Sequence, residues 1–143
     1  WLRLDRVATL AAGVVARFRV KTPGIEAAAR SLSGGNLQKF IVGREIDAKP
    51  RVLVIAQPTW GVDVGASAQI RAELLALRDA GCALLVVSEE LDELFELSDR
   101  LHVIAGGRLS PSIATGEATV GLIGEWMSGL WPAGAESGSR HAA

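Results

Sequence analysis

The sequence holds little that would staple, anchor or charge it. One cysteine occurs in 143 residues, Cys82, so no internal disulfide is available and a reduced, cytosolic setting fits. Cys82 opens an apolar run and reads as a small buried side chain, not as a reactive thiol. Neither sign of charge is in excess: 15 Lys and Arg stand against 16 Asp and Glu, a net charge of −1. That balance gives no electrostatic reason to expect nucleic acid or an anionic membrane as the main partner. Apolar residues make up 49% of the chain, yet the longest membrane-like run, 7–16, covers only about ten residues between Arg6 and Arg17, where a span needs roughly 20. The apolar residues therefore belong to a packed core or to a docking surface. No signal-peptide layout occupies 1–20, no internal repeat is visible, and no His, Cys, Asp and Glu cluster has metal-ligand spacing. The first residue is Trp1, and the chain reads as a piece of a longer gene product.

What is present alternates in period. Apolar residues at Val7, Leu10, Ala11, Val14, Val15 and Phe18 predict a helix over 5–18 with one apolar face. Thr22 before Pro23 breaks it. A second helix is predicted from Gly35 to Ile46, ended by Lys49-Pro50. Val52 to Ile55 is short, apolar and rich in β-branched residues, the pattern of a strand buried on both faces. A helix with Ile70, Leu74 and Leu77 on one face follows, stopped by Gly81, and then a second buried strand, 83–87. Leu91, Leu94 and Phe95 mark a short helix. Residues 101–109 read as strand, Gly106-Gly107 turn and strand. Val120, Ile123, Trp126, Met127 and Leu130 mark a last helix. Strand, helix, strand, helix, strand predicts an α/β fold, a parallel sheet with flanking helices. Ligands in such sheets lie beyond the carboxyl ends of the strands, here after Ile55 and Val87.

Leu32-Ser33-Gly34-Gly35-Asn36-Leu37-Gln38-Lys39 stands directly before the second helix. Two glycines let backbone N–H groups approach a ligand with no Cβ in the way. The helix start adds unpaired donors and a positive dipole end, and Ser33 adds a hydroxyl; together they suit a phosphate. Ser-Gly-Gly alone is more often a plain helix cap. The longer pattern is another matter. Seven specified residues at about 1 in 20 each would coincide by chance near 10⁻⁷ in a chain this long.

With this octapeptide the sequence resembles the ATP-binding-cassette (ABC) ATPases, whose signature is Leu-Ser-Gly-Gly. Its Asn-x-Gln-Lys continuation, and the stretch Ser88-Glu89-Glu90-Leu91-Asp92-Glu93-Leu94, are similar to the sugar and nucleoside importer branch. The resemblance implies a P-loop NTPase-like fold and ATP with Mg²⁺ as cofactors of the whole protein. It places Ser33, Gly34, Gly35, Asn36 and Gln38 in the ATP-binding signature, which in the family contacts the γ-phosphate held by a partner domain. It implies a second nucleotide-binding domain and membrane-spanning permease subunits as partners, and a peripheral place at the cytoplasmic face of the membrane. Residues 1–131 would be the carboxyl-terminal portion of a nucleotide-binding domain: 1–47 the helical subdomain and signature helix, 48–131 the Walker B, D-loop and switch region. Residues 132–143, rich in Gly, Ser and Ala, read as a disordered tail.

Several family positions depart from pattern. No G-x-x-x-x-G-K-[ST] phosphate loop occurs, so ATP loses its main grip and tight binding by this chain alone is not expected. The Walker B strand of the family ends in Asp-Glu-Pro-Thr; here Ala56-Gln57-Pro58-Thr59 stands in its place. Alanine offers Mg²⁺ no oxygen, and an amide is far too weak a base to take a proton from water. Gly61-Val62-Asp63-Val64-Gly65-Ala66 resembles the D-loop, with Asp63 equally suited to cap the following helix. Glu89 takes the place of the switch histidine. The resemblance thus implies a half with a degenerate site of its own that supplies its signature to a partner. Two alternatives stay open: a catalytically inactive regulatory or structural half, and an ABC-type ATPase outside transport, which the neutral charge does not favour. Exposed sheet edges would invite self-association.

Overall fold

The computed structural model describes residues 3–132, so the tail expected at 132–143 lies outside them but for Pro132. The described residues fall into two compact units that divide between Glu89 and Glu90.

The first unit opens with helix α1 (Leu4–Arg17), followed by a single 3-10 turn at Ala29–Ser31 and helix α2 (Gly34–Asp47). Val14 and Phe18 are buried, while Leu4, Val7 and Leu10 stay exposed. Only the carboxyl-terminal part of the expected apolar face of α1 is therefore covered. Close approach explains where the cover lies: Gly43 of α2 has no Cβ, and one built there would fall 2.5 Å from the Phe18 ring. Arg17, at the end of α1, pairs with Glu73 and lies 3.5 Å from Asp47.

Strand β1 (Val52–Ala56), helix α3 (Val64–Asp79) and strand β2 (Ala83–Val87) complete the unit. The two strands are parallel, with Val52 opposite Ala83 and Ala56 opposite Val87. Helix α3 buries Ala66, Ile70, Leu74 and Leu77 along one stripe. Gly81, at φ +97°, turns the chain from α3 into β2, and Cys82 is buried beside it. The strands differ from the doubly buried reading. Leu53 is buried and Ile55, Leu84 and Val86 are half-buried, but Val52, Val54, Leu85 and Val87 on the other face are exposed. An unbroken apolar run says that both faces suit a core; it does not say that both are covered within these residues.

The second unit contains helix α4 (Leu91–Leu97), strands β3 (Arg100–Leu101), β4 (Ile104–Ala105), β5 (Arg108–Leu109) and β6 (Ile113–Ala114), and helix α5 (Val120–Met127). The expected third parallel strand is not one. β3 pairs antiparallel with β6, a strand that the sequence reading did not foresee, and β4 pairs antiparallel with β5. Gly106 and Gly107, at φ +55° and +74°, make the two-residue hairpin turn that needs two left-handed residues. Thr119 accepts the Leu122 N–H at 3.2 Å and caps α5. Leu101, Val103, Ile123 and Trp126 form the core, with Leu91, Leu94 and Phe95 packed on it. Among the described residues no helix is long and apolar enough to cross a membrane.

Candidate functional site

Every residue singled out for chemistry lies in the first unit, at two places: the amino-terminal end of α2 and the carboxyl ends of the parallel strands. Ser33 is extended, at φ −64° and ψ 156°, and its carbonyl accepts the Leu37 N–H at 2.9 Å, the first rung of α2. The Ser33 hydroxyl makes no bond to the helix backbone. It accepts instead from Asn36 Nδ2 at 2.8 Å, and Asn36 Oδ1 accepts the Lys21 N–H at 2.8 Å. Asn36 thus straps the preceding loop to the helix start. The first-turn N–H groups stay outside the intrahelical ladder.

The two signature glycines have different reasons to be glycine. At Gly34 an added Cβ would meet nothing within 4 Å, so the helix start is open on that side. At Gly35 it would sit 2.5 Å from the carbonyl oxygen of Gly61. Gly35 lets α2 rest on the loop after β1. Further along α2, Gln38 reaches that same loop. Its amide donates to Gln57 O at 2.8 Å and to Pro58 O at 3.2 Å. Lys39 pairs with Asp63 at 3.1 Å. These links join residues some twenty positions apart, and no local spacing announces them.

Ala56 ends β1 and is exposed, and its methyl offers no ligand oxygen. Gln57 adopts the left-handed backbone, φ +50°, rare for a residue with a side chain. Its N–H donates to Val87 O at 2.7 Å, and its carbonyl also accepts the Trp60 N–H at 3.1 Å. The Ser88 hydroxyl lies 3.4 Å from Gln57 Oε1, so the strand ends are tied together through this side chain. Pro58 is fully buried; Trp60 is 72% exposed. Asp63 caps α3 through the Ala66 N–H at 2.9 Å. That N–H first, and Lys39 second, hold its carboxyl below the ordinary 3.8. Glu89 follows β2, exposed.

The donor set divides cleanly. The α2 start has the open backbone and hydroxyl that a phosphate needs. The β1 end lacks the carboxylate that Mg²⁺ needs, so the residues present do not fit a metal there. Among the described residues no three His, Cys, Asp or Glu side chains are grouped to hold a metal ion.

No family model matches the sequence. The guanosine import ATP-binding protein of Bacillus subtilis is 46% identical over 119 residues, covering 83% of this chain and 23% of that protein. The ribose import ATP-binding protein of Rhizobium etli is 39% identical over 136 residues, 95% of this chain and 26% of its own length. The nucleoside import ATP-binding protein of Lactococcus lactis subsp. cremoris is 40% identical over 129 residues, 90% and 26%. The chain spans about a quarter of the length of these relatives. Among solved structures, a dimeric ATP-binding cassette bound to ADP and phosphate matches with a TM-score of 0.68 at 16% identity, over 80% of this chain and 50% of that one. A second cassette of an ABC transporter matches at 0.65 and 21% identity, over 90% and 51%. At such identities the solved structures speak to the fold.

Proposed function

The chain belongs to the ATP-binding-cassette ATPases of the sugar and nucleoside importer branch, and from that membership we propose that it is the carboxyl-terminal portion of a nucleotide-binding domain that lends its signature to a partner's ATP. The observation that carries the reading is the open start of α2. Ser33 and the first-turn N–H groups flank Gly34, where nothing beyond its chain neighbours and its own helix backbone stands within 4 Å of a would-be Cβ. A terminal phosphate presented by another domain would meet a hydroxyl, backbone donors and the positive end of the helix dipole.

Bound ATP would supply the phosphoryl group to be transferred. In the proposed assembly this chain orients that group and offsets its charge, while the phosphate loop and metal ligands come from elsewhere. The chain's own strand-end position is degenerate. Ala56 has no oxygen for Mg²⁺, the Gln57 amide takes no proton from water, and Glu89 would set a carboxylate beside phosphate charge. The partners would be a second nucleotide-binding domain and permease subunits, at the cytoplasmic face of a membrane. A regulatory half that binds nucleotide without turnover is the second reading, favoured by Gln57 itself, whose side chain bonds Ser88.

Calorimetry with Mg-ATP tests the proposal, on this chain and on a full-length subunit carrying it. Binding by the full-length subunit only is the expected result. Micromolar binding by these 143 residues alone would overturn it, since they contain no phosphate loop.

A further inference from the structure

The backbone of Gln57 is left-handed, at φ +50°, a conformation that a residue with a side chain keeps only where its neighbours enforce it. Two of the enforcing contacts are between backbone groups: the Gln57 N–H to Val87 O at the end of β2, at 2.7 Å, and the Trp60 N–H to Gln57 O within the turn, at 3.1 Å. The third comes from a side chain of α2. The half-buried Gln38 amide donates to Gln57 O at 2.8 Å and to Pro58 O at 3.2 Å, so one side chain of the signature helix holds two successive carbonyls of the turn after β1. Gly35 presses the same helix on Gly61 O, at the far end of that turn.

We propose that Gln38 is a positioning residue that holds the Gln57 turn in its left-handed form and so ties the signature helix to the strand-end position of its own domain. Its functional meaning rests on the reading above. A partner's phosphate drawing on Ser33 and Gly34 would pull a helix that is fastened to Ala56-Gln57, and the two half-sites of one domain would move together. No titration or nucleotide is needed for the link itself. The amide has two N–H donors and the turn offers two carbonyls at its reach, a match that neither a carboxylate nor an alkyl group reproduces.

Amide hydrogen exchange on the 143-residue chain tests this. In Gln38→Leu, which keeps bulk and removes both donors, the protection factor of the Trp60 amide should fall by roughly tenfold, the scale of one to two lost hydrogen bonds. The β2 amides that face β1 away from the turn, Ala83 (to Arg51 O, 2.9 Å) and Leu85, should hold within about twofold. Gln38→Glu supplies the second readout. At pH 7 its carboxylate faces two carbonyl oxygens and repels them. Near pH 4 its neutral form regains one donor, so Trp60 protection should recover towards wild type measured at the same pH. Trp60 protection unchanged in Gln38→Leu would overturn the proposal. So would an equal loss at Ala83 and Leu85, or a Gln38→Glu variant indifferent to pH, because each assigns Gln38 to general packing. The exchange experiment is read whether or not ATP binds, so its failure is separable from failure of the functional reading.

Discussion

Adjacent glycines at 34 and 35 should respond oppositely to the same methyl group. Gly35→Ala places a Cβ 2.5 Å from Gly61 O, 3.5 Å from Gly61 C and 3.6 Å from Val62 Cα. The blocking atom is backbone, and Gly61 itself is left-handed at φ +70°, so the obstacle has no flexible end to swing away. Overpacking of this kind costs about 1–3 kcal/mol. Against it stands the gain of alanine over glycine in a helix and in the unfolded chain, about 0.4–1 kcal/mol. Gly35→Ala should therefore destabilise the first unit by about 1–2 kcal/mol. Gly34→Ala meets nothing within 4 Å and keeps the gain alone, so it should be neutral or stabilising by up to about 1 kcal/mol. Urea denaturation followed by circular dichroism reads the difference, and Trp60, next to Gly61, gives a local fluorescence signal. Equal effects of the two substitutions, or greater damage from Gly34→Ala, would refute the argument that α2 rests on the Gly61 carbonyl. In a full-length subunit the order should reverse: Gly34→Ala, harmless to the fold, should cut ATP turnover by narrowing the proposed phosphate approach.

Gly43→Ala should destabilise by about 1–3 kcal/mol in thermal melts, because its Cβ would fall 2.5–2.9 Å from three atoms of the buried Phe18 ring. Asp63 makes the start of α3 sensitive to acid. Its folded pKa is depressed, so its cap and its Lys39 pair act fully above the ordinary 3.8 and are lost as pH falls through the lowered value. Helix-start amide protection should fall over that window in wild type. In Asp63→Asn, which keeps an acceptor for Ala66, it should not follow pH there. Ala56→Asp combined with Gln57→Glu in a full-length subunit should raise Mg²⁺-dependent phosphate release; no gain would remove the reading of Ala56-Gln57 as a lapsed catalytic pair.

Local patterns were legible and long-range ones were not. Helix α2 runs from Gly34 to Asp47 where the sequence points to Gly35 to Ile46, and β2 covers 83–87 as read. Both carry their signals within a few residues: glycine and serine at a start, an unbroken apolar run bounded by turns. The sequence does not announce β6, because Ile113-Ala114 is too short to show a period and is a strand by pairing with Arg100-Leu101. At the candidate site, the octapeptide announces the α2 start, and Pro58-Thr59 is the frame on which the proposed departures at Ala56 and Gln57 rest. What spacing does not carry is the fastening of the two: Gln38 on Gln57 O, Lys39 on Asp63, Gly35 on Gly61 O. Gly35 in particular reads from sequence as a residue kept small for a ligand, and the structure gives it a neighbour within the chain as well.

The exposed face of the parallel pair bears on what completes this unit. Val52, Val54, Leu85 and Val87 are 64%, 66%, 57% and 50% exposed, and the strand register sets all four on one side, with Ala83 and Ala56 at opposite corners. Full burial of such a side chain is worth about 1.5–3 kcal/mol, so each forfeits about 1 kcal/mol as it stands, and the face roughly 4 kcal/mol. A whole domain has a margin of only about 5–15 kcal/mol. A surface of that value, without one polar side chain, is made for contact and not for water. The solved cassettes are about twice as long as the part this chain matches, and the proposed remainder of the domain is the cover that such a face requires. Without that cover, a second copy of the chain meets the same need, and self-association through this face is the expected consequence. A polar replacement such as Val54→Thr should then lessen association in sedimentation experiments while leaving the buried Leu53 face intact. Association unaffected by it would place the contact elsewhere, and the exposed α1 residues Leu4, Val7 and Leu10 would become the surface to alter next.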